Sequence, residues 1–268
     1  MPPVEGDVTF DAGAGAYDRF TGRWSVAFRS SLLDAAGVRE GQTVLEVSAG
    51  TGALAEAAGA RVGASGRVIA TDISLPMLQV AKGKLAGLPV HTIAMDGQDL
   101  ACRDRSCDAV ICQLGLMYLP DLGRGLREFR RVLRPRGRLA VQVWSAPARV
   151  QYLGMLADAL SRHFPAQREA IYSPTCLGDP ARLDRQLRDA GFQDVSVVAE
   201  AREIAFASFD EYWGGVEAGA GMLGQFYVEL PADARRTVRE EVARHMAPLK
   251  KGGRLVLRSE ALIGTGVA

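Results

Sequence analysis

The chain has 268 residues, a length that allows one full hydrophobic core together with a covering segment. Its 32 Lys and Arg residues against 31 Asp and Glu give a net charge of +1, which excludes a general electrostatic attraction to nucleic acid or to an anionic membrane. Four cysteines without paired spacing predict reduced thiols and no metal site. The sequence shows no signal peptide and no apolar run of about 18 residues, so we expect a cytoplasmic protein without membrane insertion.

The predicted elements begin with a long amphipathic helix that places Phe20, Trp24, Phe28 and Leu32 on one apolar stripe. After it, short apolar runs alternate with helical patterns, and the runs end in small or acidic residues. Runs that are apolar on both faces and alternate with helices predict a parallel sheet covered on each side. Strands are predicted at residues 43–47, 67–73, 90–96, 108–115 and 138–144.

The second half of the chain breaks this rhythm with additional helices. Helical segments are predicted at residues 147–164, 181–190 and, in more than one piece, 209–247, with strands from Asp194 and near residues 254–264. We therefore predict a doubly wound, mostly parallel, seven-stranded α/β sheet of the Rossmann type with helical lid insertions. The predicted boundaries are 1–40 for an N-terminal helical cap, 41–145 for the ligand-binding core, 146–178 for a helical lid, and 179–268 for the rest of the core with a second helical insertion near 208–250.

Two helix starts carry sequence signals of their own. Ser74 is predicted to cap a helix that has Pro76 in its first turn, where the missing N–H costs nothing. Asp121 is predicted to cap the following helix, which should continue to Pro135. The apolar stripe of that helix comprises Leu122, Leu126, Phe129 and Leu133.

A small-residue loop follows the first predicted strand. The segment from Glu46 to Gly52 reads EVSAGTG, and Gly50 to Ala55 also fits the G-x-G-x-x-G/A pattern of dinucleotide-binding proteins. A dinucleotide would place a doubly negative pyrophosphate over this loop, where Glu46 would repel it. S-adenosylmethionine (SAM) instead carries an ammonium and a sulfonium, which a carboxylate attracts directly or through a water molecule. The loop therefore favours SAM over a dinucleotide.

Acidic residues also end the second and third predicted strands. Asp72 stands where a ribose-binding acid ends the second strand of nucleoside-binding sheets. Asp96, with Gly97 and Gln98, ends the third strand, where an acceptor and nearby backbone can bind the amino group of adenine. With Glu46, this makes three acids at three successive strand ends, which indicates a nucleoside site rather than isolated helix caps.

Five stretches between residues 43 and 144 carry a family resemblance, in the family's order and spacing. They are VLEVSAGTGAL, ATDISLPMLQVA, AMDGQDL, CDAVICQLGLMYLPD and LREFRRVLRPRGRLAVQVW. In these stretches the chain resembles the class I SAM-dependent methyltransferases, and within them the group of ubiquinone and menaquinone biosynthesis methyltransferases. YDRFTGRWS near the N-terminus and LGDPARLDRQLRDAGFQDV later in the chain are similar to this group as well.

The resemblance implies contacts to each part of SAM. The implied contacts are Ser48, Ala49, Gly50, Thr51 and Gly52 under the methionine part, Asp72 at the ribose, Ile73 and Met77 against the adenine ring, Asp96, Gly97 and Gln98 at the adenine edge, Gln113 and Leu114 near the sulfonium, and Tyr17 and Arg23 at the carboxylate. Ser48 departs from the family, which has the first glycine of the loop at this position. A side chain there narrows the approach to the ligand and disfavours a positive φ, although its hydroxyl can hydrogen-bond the cofactor carboxylate.

Methyl transfer from a sulfonium is an in-line displacement, in which the protein aligns the nucleophile with the S–CH3 bond and excludes water. A base is therefore optional, and among the histidines only His163, in the predicted lid, is a candidate. The expected acceptor is a small molecule with an aromatic, quinone-like or polyketide-like ring that stacks on aromatic residues at the mouth of the site. The aromatic residues predicted there are Tyr118, Trp144, Tyr152, Phe164 and Tyr172.

Two other functions fit parts of the sequence. A SAM-binding relative that performs no methyl transfer, such as a pericyclic enzyme or an accessory protein, fits Ser48 and the lack of an assigned base. A nicotinamide-dependent oxidoreductase fits the glycine pattern but predicts a Tyr-x-x-x-Lys motif after the fourth strand, where the sequence has Tyr118-Leu-Pro-Asp121. We expect a monomer or homodimer whose partner is a small-molecule acceptor, with no nucleic acid bound.

Overall fold

The computed structural model describes residues 17–268, so the part of the predicted cap before Tyr17 lies outside the described residues. The strands are β1 (Thr43–Val47), β2 (Arg67–Asp72), β3 (Val90–Ala94), β4 (Cys107–Gln113), β5 (Leu133–Trp144), β6 (Gln193–Phe206), β7 (Lys250–Lys251) and β8 (Arg254–Val267). The helices are α1 (Gly22–Ala35), α2 (Ala53–Val62), α3 (Leu75–Lys84), α4 (Leu122–Val132), α5 (Gln151–His163), α6 (Arg168–Tyr172), α7 (Pro180–Asp189), α8 (Phe209–Glu217), α9 (Gly221–Glu229) and α10 (Ala232–Met246).

The strands form one sheet, in which β1 to β5 run parallel in the order β3-β2-β1-β4-β5. β8 pairs antiparallel with β5 on one side and with β6 on the other. The predicted doubly wound, mostly parallel α/β sheet is thereby confirmed. The predicted number of seven strands is wrong by one, because residues 17–268 contain eight. The additional strand, β7, has two residues and folds back on β8, which is too short for a pattern of apolar residues to reveal.

The central strands β1 and β4 are buried on both faces, as their continuous apolar sequences predict. Val44 and Ile111 belong to one hydrophobic cluster, whereas Leu45 and Val110 belong to another. This division follows from the alternation of side chains along a strand. Because both faces are covered, the carboxyl ends of the parallel strands are left as the place where loops can form a ligand crevice.

Both predicted helix caps are confirmed. Ser74 Oγ accepts a hydrogen bond from the backbone N–H of Met77 at 3.3 Å, at the start of α3. Asp121 Oδ1 accepts one from the backbone N–H of Arg124 at 2.8 Å, at the start of α4. Each bond satisfies a donor that the first turn of a helix leaves without a partner.

The predicted end of α4 is wrong. The helix ends at Val132, and Leu133, which the helical pattern includes in the apolar stripe, already belongs to β5. Leu133 pairs with Cys107 of β4, and the register then shifts before the regular pairing of the two strands resumes. Pairing between strands therefore overrides the local helical pattern at this junction.

Residues 17–21 precede α1 and connect the sheet to the later helices. Phe20, expected inside the first helix, lies just before it and is buried against Tyr152 of α5 and Tyr212 of α8, with ring centroids 5.6 and 5.4 Å away. A Cβ atom on Gly215 of α8 would lie 2.4 Å from the Phe20 ring, so the glycine makes room for it. Trp24 of α1 stacks on Tyr152 at 5.0 Å. The N-terminal segment and both helical insertions therefore pack together.

The first of the two helical insertions differs in detail from its prediction, whereas the second has its helices within the predicted residues. The first consists of α5 and α6 and follows β5, where α5 begins at Gln151 rather than at residue 147. The second lies between β6 and β8 and consists of three helices, α8, α9 and α10. Within residues 17–268, no helix is both long and apolar enough to cross a bilayer.

Candidate functional site

A cavity of about 270 Å³ lies at the carboxyl edge of the sheet. Its floor comes from residues at the ends of β1 to β4, and its roof comes from α5 and the start of α9. This is the edge where a doubly wound sheet is expected to collect ligands. Eleven residues that the sequence implied as cofactor contacts line it: Tyr17, Ser48, Gly50, Asp72, Ile73, Met77, Asp96, Gly97, Gln98, Gln113 and Leu114.

The polar lining residues form a row that follows the order of the strands. Asp96 stands after β3, Asp72 at the end of β2, Ser48 after β1 and Gln113 at the end of β4. Because neighbouring strands are about 4.8 Å apart, these four positions span roughly 15 Å. The row reaches Trp144 at the end of β5, where the polar lining gives way to aromatic and aliphatic side chains.

Asp72 organises the loop after β1. Its Oδ2 accepts a hydrogen bond from the backbone N–H of Gly50 at 2.7 Å, and its Oδ1 accepts one from that of Ser74 at 2.9 Å. Hydrogen bonds to an ionised carboxylate are stronger than neutral ones, so they hold the glycine loop firmly against the end of β2. Asp72 also borders the cavity, at the strand end where a ribose is expected.

The residues after β3 are held by their own hydrogen bonds. Asp96 Oδ1 accepts from the backbone N–H of Gln98 at 2.8 Å. Gln98 Oε1 in turn accepts from the backbone N–H of Asp121, at the start of α4, at 2.6 Å. The side chains expected at the adenine edge are therefore fixed by the protein itself.

Glu46 lies within β1 and does not line the cavity. It is 1% exposed, and burial, with a smaller effect from the charge of Asp72, holds the pKa of its carboxyl group well above the usual 4.5. Its Oε2 accepts no hydrogen bond from residues 17–268. A buried oxygen without a partner destabilises a fold, so the burial of this atom has an energetic cost that the described residues do not offset.

Ser48 adopts the left-handed backbone conformation that a side chain disfavours, with φ at 60°. Gly115, just after β4, packs directly against it. A Cβ atom on Gly115 would lie 2.2 Å from Ser48 Cβ and 2.5 Å from Ser48 Oγ. The serine that replaces the family's first glycine is therefore accommodated because residue 115 has no side chain.

Three other residues of the loop shape it without lining the cavity. Thr51 Oγ1 donates a hydrogen bond to Asp18 at 2.6 Å, and Asp18 also forms an ion pair with Lys84. Gly52 has φ at 83° and is the cap residue at the start of α2. Ala49 is buried. The resemblance implied that these three residues contact the cofactor directly, but none of them lines the cavity.

The N-terminal segment provides one of its two implied contacts. Tyr17 lines the cavity, and burial raises the pKa of its hydroxyl to about 12, which keeps it neutral at physiological pH. Arg23 does not line the cavity, because its guanidinium pairs with Glu211 of α8 and lies 4.7 Å from the ring centroid of Phe206. The implied contact between Arg23 and the cofactor carboxylate is therefore not supported by its position.

The far part of the cavity is an apolar chamber beneath the helical insertions. We define it by Phe20, Tyr118, Trp144, Tyr152, Leu153, Pro174, Met222 and Leu223. Sequence reasoning missed the contributions of Phe20, Leu153 and α9. These segments are far apart in the chain, so no local pattern joins them. The one available signal was the glycine pair Gly219 and Gly221, both at positive φ, which forms the turn into α9.

The aromatic residues predicted at the mouth divide into two groups. Those that line the cavity are Tyr118, Trp144 and Tyr152. Phe164 and Tyr172 lie outside the cavity wall. His163 is exposed at the end of α5 and also lies outside the wall, so the histidine that the sequence offered as a base is not placed to act as one.

Comparisons with known proteins identify the family. A family model described as a methyltransferase domain matches residues 45–141, which run from β1 into β5. The ubiquinone/menaquinone biosynthesis C-methyltransferase of Klebsiella pneumoniae is 32% identical over 179 residues, which cover 61% of this chain and 71% of the relative. The chain belongs to the SAM-dependent methyltransferases.

The similarity extends over only part of some relatives. The ubiquinone/menaquinone biosynthesis C-methyltransferase of Hahella chejuensis is 36% identical over 146 residues, which are 52% of this methyltransferase and 59% of that relative's length. A solved structure of phosphoethanolamine N-methyltransferase 2 from Haemonchus contortus, with phosphomonomethylethanolamine and S-adenosylhomocysteine, has a TM-score of 0.59 at 15% identity. It covers 96% of this methyltransferase and 57% of that chain. At this identity the likeness shows the fold alone.

The charges of the cavity wall agree with the cofactor of this family. The described lining residues include the carboxylates of Asp72 and Asp96 and the amide of Gln113, but no Lys, Arg or His. Such a wall suits a ligand with an ammonium and a sulfonium and offers nothing to neutralise a pyrophosphate. SAM is the cofactor of this methyltransferase.

Proposed function

We propose that this methyltransferase transfers the methyl group of SAM to a small, flat and apolar acceptor by in-line displacement. The observation that carries the proposal is that one cavity joins the polar row at the strand ends to the apolar chamber. Asp96 and Asp72 would hold the nucleoside, and Ser48 and Gln113 would then lie along the row toward its sulfur. The chamber begins at the next strand end, with Trp144, so the acceptor would bind beyond the sulfur.

The residues of the chamber contribute alignment and the exclusion of water. When bound, SAM supplies a methyl group on a positively charged sulfur, which leaves as a neutral thioether while the nucleophile forms its bond to the methyl carbon. Tyr118, Trp144 and Tyr152 offer aromatic surfaces against which a ring of the acceptor packs. Fixing both reactants in this way lowers the barrier by roughly 7 to 11 kcal/mol.

The described residues that define the chamber provide neither a carboxylate nor an imidazole as a proton acceptor. None of the residues that define it is Asp, Glu or His. Burial raises the pKa of the Tyr118 and Tyr152 hydroxyls, so both stay protonated near neutral pH and act as donors. We therefore propose that the acceptor is itself acidic, as a phenol or an enolisable ring is, and that its proton passes to water.

The relatives support a ring as the acceptor. The names of the Klebsiella and Hahella proteins specify C-methylation in ubiquinone and menaquinone biosynthesis. A quinol-like ring is flat and largely apolar and carries acidic hydroxyls, which agrees with the chamber described above. We propose an aromatic acceptor of the quinone-like or polyketide-like kind.

The test is transfer of a radiolabelled methyl group from SAM into a metabolite extract of the source organism. The wild type is expected to label a compound of low polarity, and Asp72→Ala is expected to lose this labelling because the loop and the ribose contact are disturbed. Asp99→Ala removes an exposed carboxylate outside the cavity wall and serves as the matched control, with labelling unchanged.

A second function predicts a different outcome of the same test. Ser48 at the loop and the lack of a base in the described chamber also fit a SAM-binding relative without methyl transfer, such as a pericyclic enzyme or an accessory protein. Calorimetric binding of SAM together with no labelled product in any fraction would support that function and contradict the proposed one.

A further inference from the structure

Two buried amides lie side by side at the ends of β4 and β5. Gln113 and Gln142 are partners in the parallel register of these strands and are 8% and 0% exposed. Gln113 Nε2 donates one hydrogen bond to Gln142 Oε1 at 2.9 Å and another to the backbone carbonyl oxygen of Ser25 in α1 at 3.1 Å. Both N–H bonds of the Gln113 amide are therefore used inside the protein.

These contacts fix the direction in which the Gln113 amide faces. A backbone carbonyl can only accept a hydrogen bond, so the NH2 side of the amide must point toward Ser25. In the reversed orientation two oxygen acceptors would meet without a proton between them. Gln113 Oε1 therefore faces away from Ser25, on a side chain that lines the cavity. The structure shows no donor to this oxygen in residues 17–268.

The buried amide of Gln142 lowers the stability of the fold, so packing alone does not explain why this residue is a glutamine. Its Oε1 accepts the bond from Gln113, but its Nε2 is buried and finds no partner among the described residues. A buried donor without a partner lowers the stability of a fold. A leucine at this position would avoid the cost while filling a similar volume. The presence of an amide at position 142 is therefore explained by the hydrogen bond that orients Gln113.

The Gln113 oxygen, to which no described residue donates, lies one strand beyond the loop in the polar row, next to Ser48. With its nucleoside held at the ends of β2 and β3, the cofactor would extend its amino acid part in this direction. Its α-ammonium group has three N–H donors. An amide oxygen suits a cation better than it suits the carboxylate of the cofactor.

We infer that Gln113 accepts a hydrogen bond from the α-ammonium group of the cofactor, and that Gln142 is a positioning residue that keeps the Gln113 oxygen turned toward it. The inference rests on the proposed function, because it requires a cofactor of the SAM type in this cavity. The carbonyl of Ser25 takes part in the same arrangement, so the docking of α1 on the sheet is coupled to recognition of the ammonium group.

The experiment compares ligands that differ only in the ammonium group. Calorimetry on the full chain measures the Kd of S-adenosylhomocysteine and of its analogue in which hydrogen replaces the α-amino group, and the ratio of the two is the preference for the ammonium. Gln113→Met keeps the side-chain length but removes the amide. It is expected to lower this preference about tenfold, because a hydrogen bond to a charged group is lost. Affinity for 5′-methylthioadenosine, which lacks the amino acid part, should stay unchanged.

Gln142→Leu separates positioning from packing. It leaves every residue of the cavity wall in place and is expected to lower the preference at least about twofold, because the Gln113 amide loses one of the two bonds that orient it. The melting temperature should not fall, because the buried Nε2 without a partner is removed as well. Gln193→Leu, at an exposed glutamine of β6, is the matched control and should change neither quantity.

Each outcome decides between the possibilities. If the wild type binds S-adenosylhomocysteine and the analogue equally, or if the variants weaken both ligands to the same extent, the inference is wrong. If Gln142→Leu has a lower melting temperature but an unchanged preference for the ammonium group, Gln142 contributes only to packing and does not position Gln113. If Gln113→Met does not fold, the preference of Gln142→Leu for the ammonium group tests the inference by itself. A wild type that binds none of the three adenosine ligands would contradict the proposed function itself.

Discussion

The backbone N–H of Gly50 donates a 2.7 Å hydrogen bond to Oδ2 of Asp72, which ties the loop after β1 to the end of β2. The residue expected to bind the ribose therefore also sets the shape of the loop that lies under the methionine part of the cofactor. Since Oδ1 of the same carboxylate accepts from Ser74, a substitution at Asp72 disturbs binding and stability together.

Asp72→Ala is expected to weaken SAM binding at least about tenfold and to lower the free energy of unfolding by about 1 to 3 kcal/mol, because two backbone N–H groups lose a charged acceptor. Asp72→Asn retains one acceptor oxygen, so its SAM affinity and its free energy of unfolding should lie between those of Asp72→Ala and the wild type. Calorimetry and urea unfolding measure the two effects, with Asp99→Ala as the control. Unchanged SAM affinity of Asp72→Ala would remove this residue from the site.

Gly115→Ala is expected to destabilise the protein by about 1 to 3 kcal/mol, because its Cβ atom would collide with the side chain of Ser48. Adding Ser48→Gly in the same chain should recover most of this loss, since it removes the colliding atoms. Gly83→Ala in α3 is the control, because nothing lies within 4 Å of the added Cβ there. In a helix this exchange is expected to stabilise by roughly 0.5 to 1 kcal/mol.

Urea unfolding of the four proteins gives the comparison for residue 115. Loss of stability in Gly115→Ala that Ser48→Gly does not reduce would show that the two residues are not coupled. In that case the positive φ of Ser48 would need an explanation other than the space over Gly115.

Glu46→Gln is expected to change how stability depends on pH. Burial raises the pKa of the Glu46 carboxyl above its usual 4.5, so the folded state holds this proton more tightly than the unfolded state does. The wild type must then lose stability as the pH rises from about 4.5 toward the raised pKa of the folded protein. The variant lacks this loss, so its free energy of unfolding should exceed that of the wild type by an amount that grows as the pH rises, and the two values should converge near pH 4.5.

The measurement for Glu46 is the free energy of unfolding of both proteins at several pH values. Parallel curves for wild type and variant would mean that the carboxyl does not titrate differently in the two states. The same samples test binding, because an ionised Glu46 should favour a cationic ligand, so SAM affinity of the wild type should rise with pH more steeply than that of the variant.

Arg23→Met is expected to leave the Kd for SAM within about twofold of the wild type, because the guanidinium is engaged with Glu211 and lies outside the cavity wall. The pair is 30% and 36% exposed, so its loss should lower the free energy of unfolding by less than about 1 kcal/mol. Tyr17→Ala, at a residue that does line the cavity, is the comparison and should weaken binding. A large loss of SAM affinity in Arg23→Met would restore the contact that the family resemblance implied.

The floor of the cavity could be predicted from the sequence because each of its parts follows directly after a buried strand. The glycine loop, Asp72 and Asp96 are local signals, and the parallel register of the strands then places them in one row whatever the details of the helices. The caps at Ser74 and Asp121 were predictable for the same reason, since a cap depends only on the residues that follow it.

The roof and the deeper contacts were not predictable in this way. Leu153 and Met222 reach the chamber from helices whose position depends on packing between distant segments. Gln142 is the one polar residue in the apolar run from Leu139 to Trp144, but its role depends on where the carbonyl of Ser25 lies, which the sequence does not show. Arg23 was assigned by resemblance, but its charge is taken up by Glu211, a residue that no local pattern connects with it.

The fit of Phe20 into the space over Gly215 has a consequence for protein engineering. The lid helices of another enzyme could be grafted onto this sheet to change the acceptor. Such a graft must include the segment before α1, residues 17–21, because Phe20 packs against the lid. A foreign lid with an ordinary side chain at position 215 would meet the benzyl ring and be pushed off the chamber. Relatives that have changed their acceptor should accordingly show matched substitutions at positions 20 and 215.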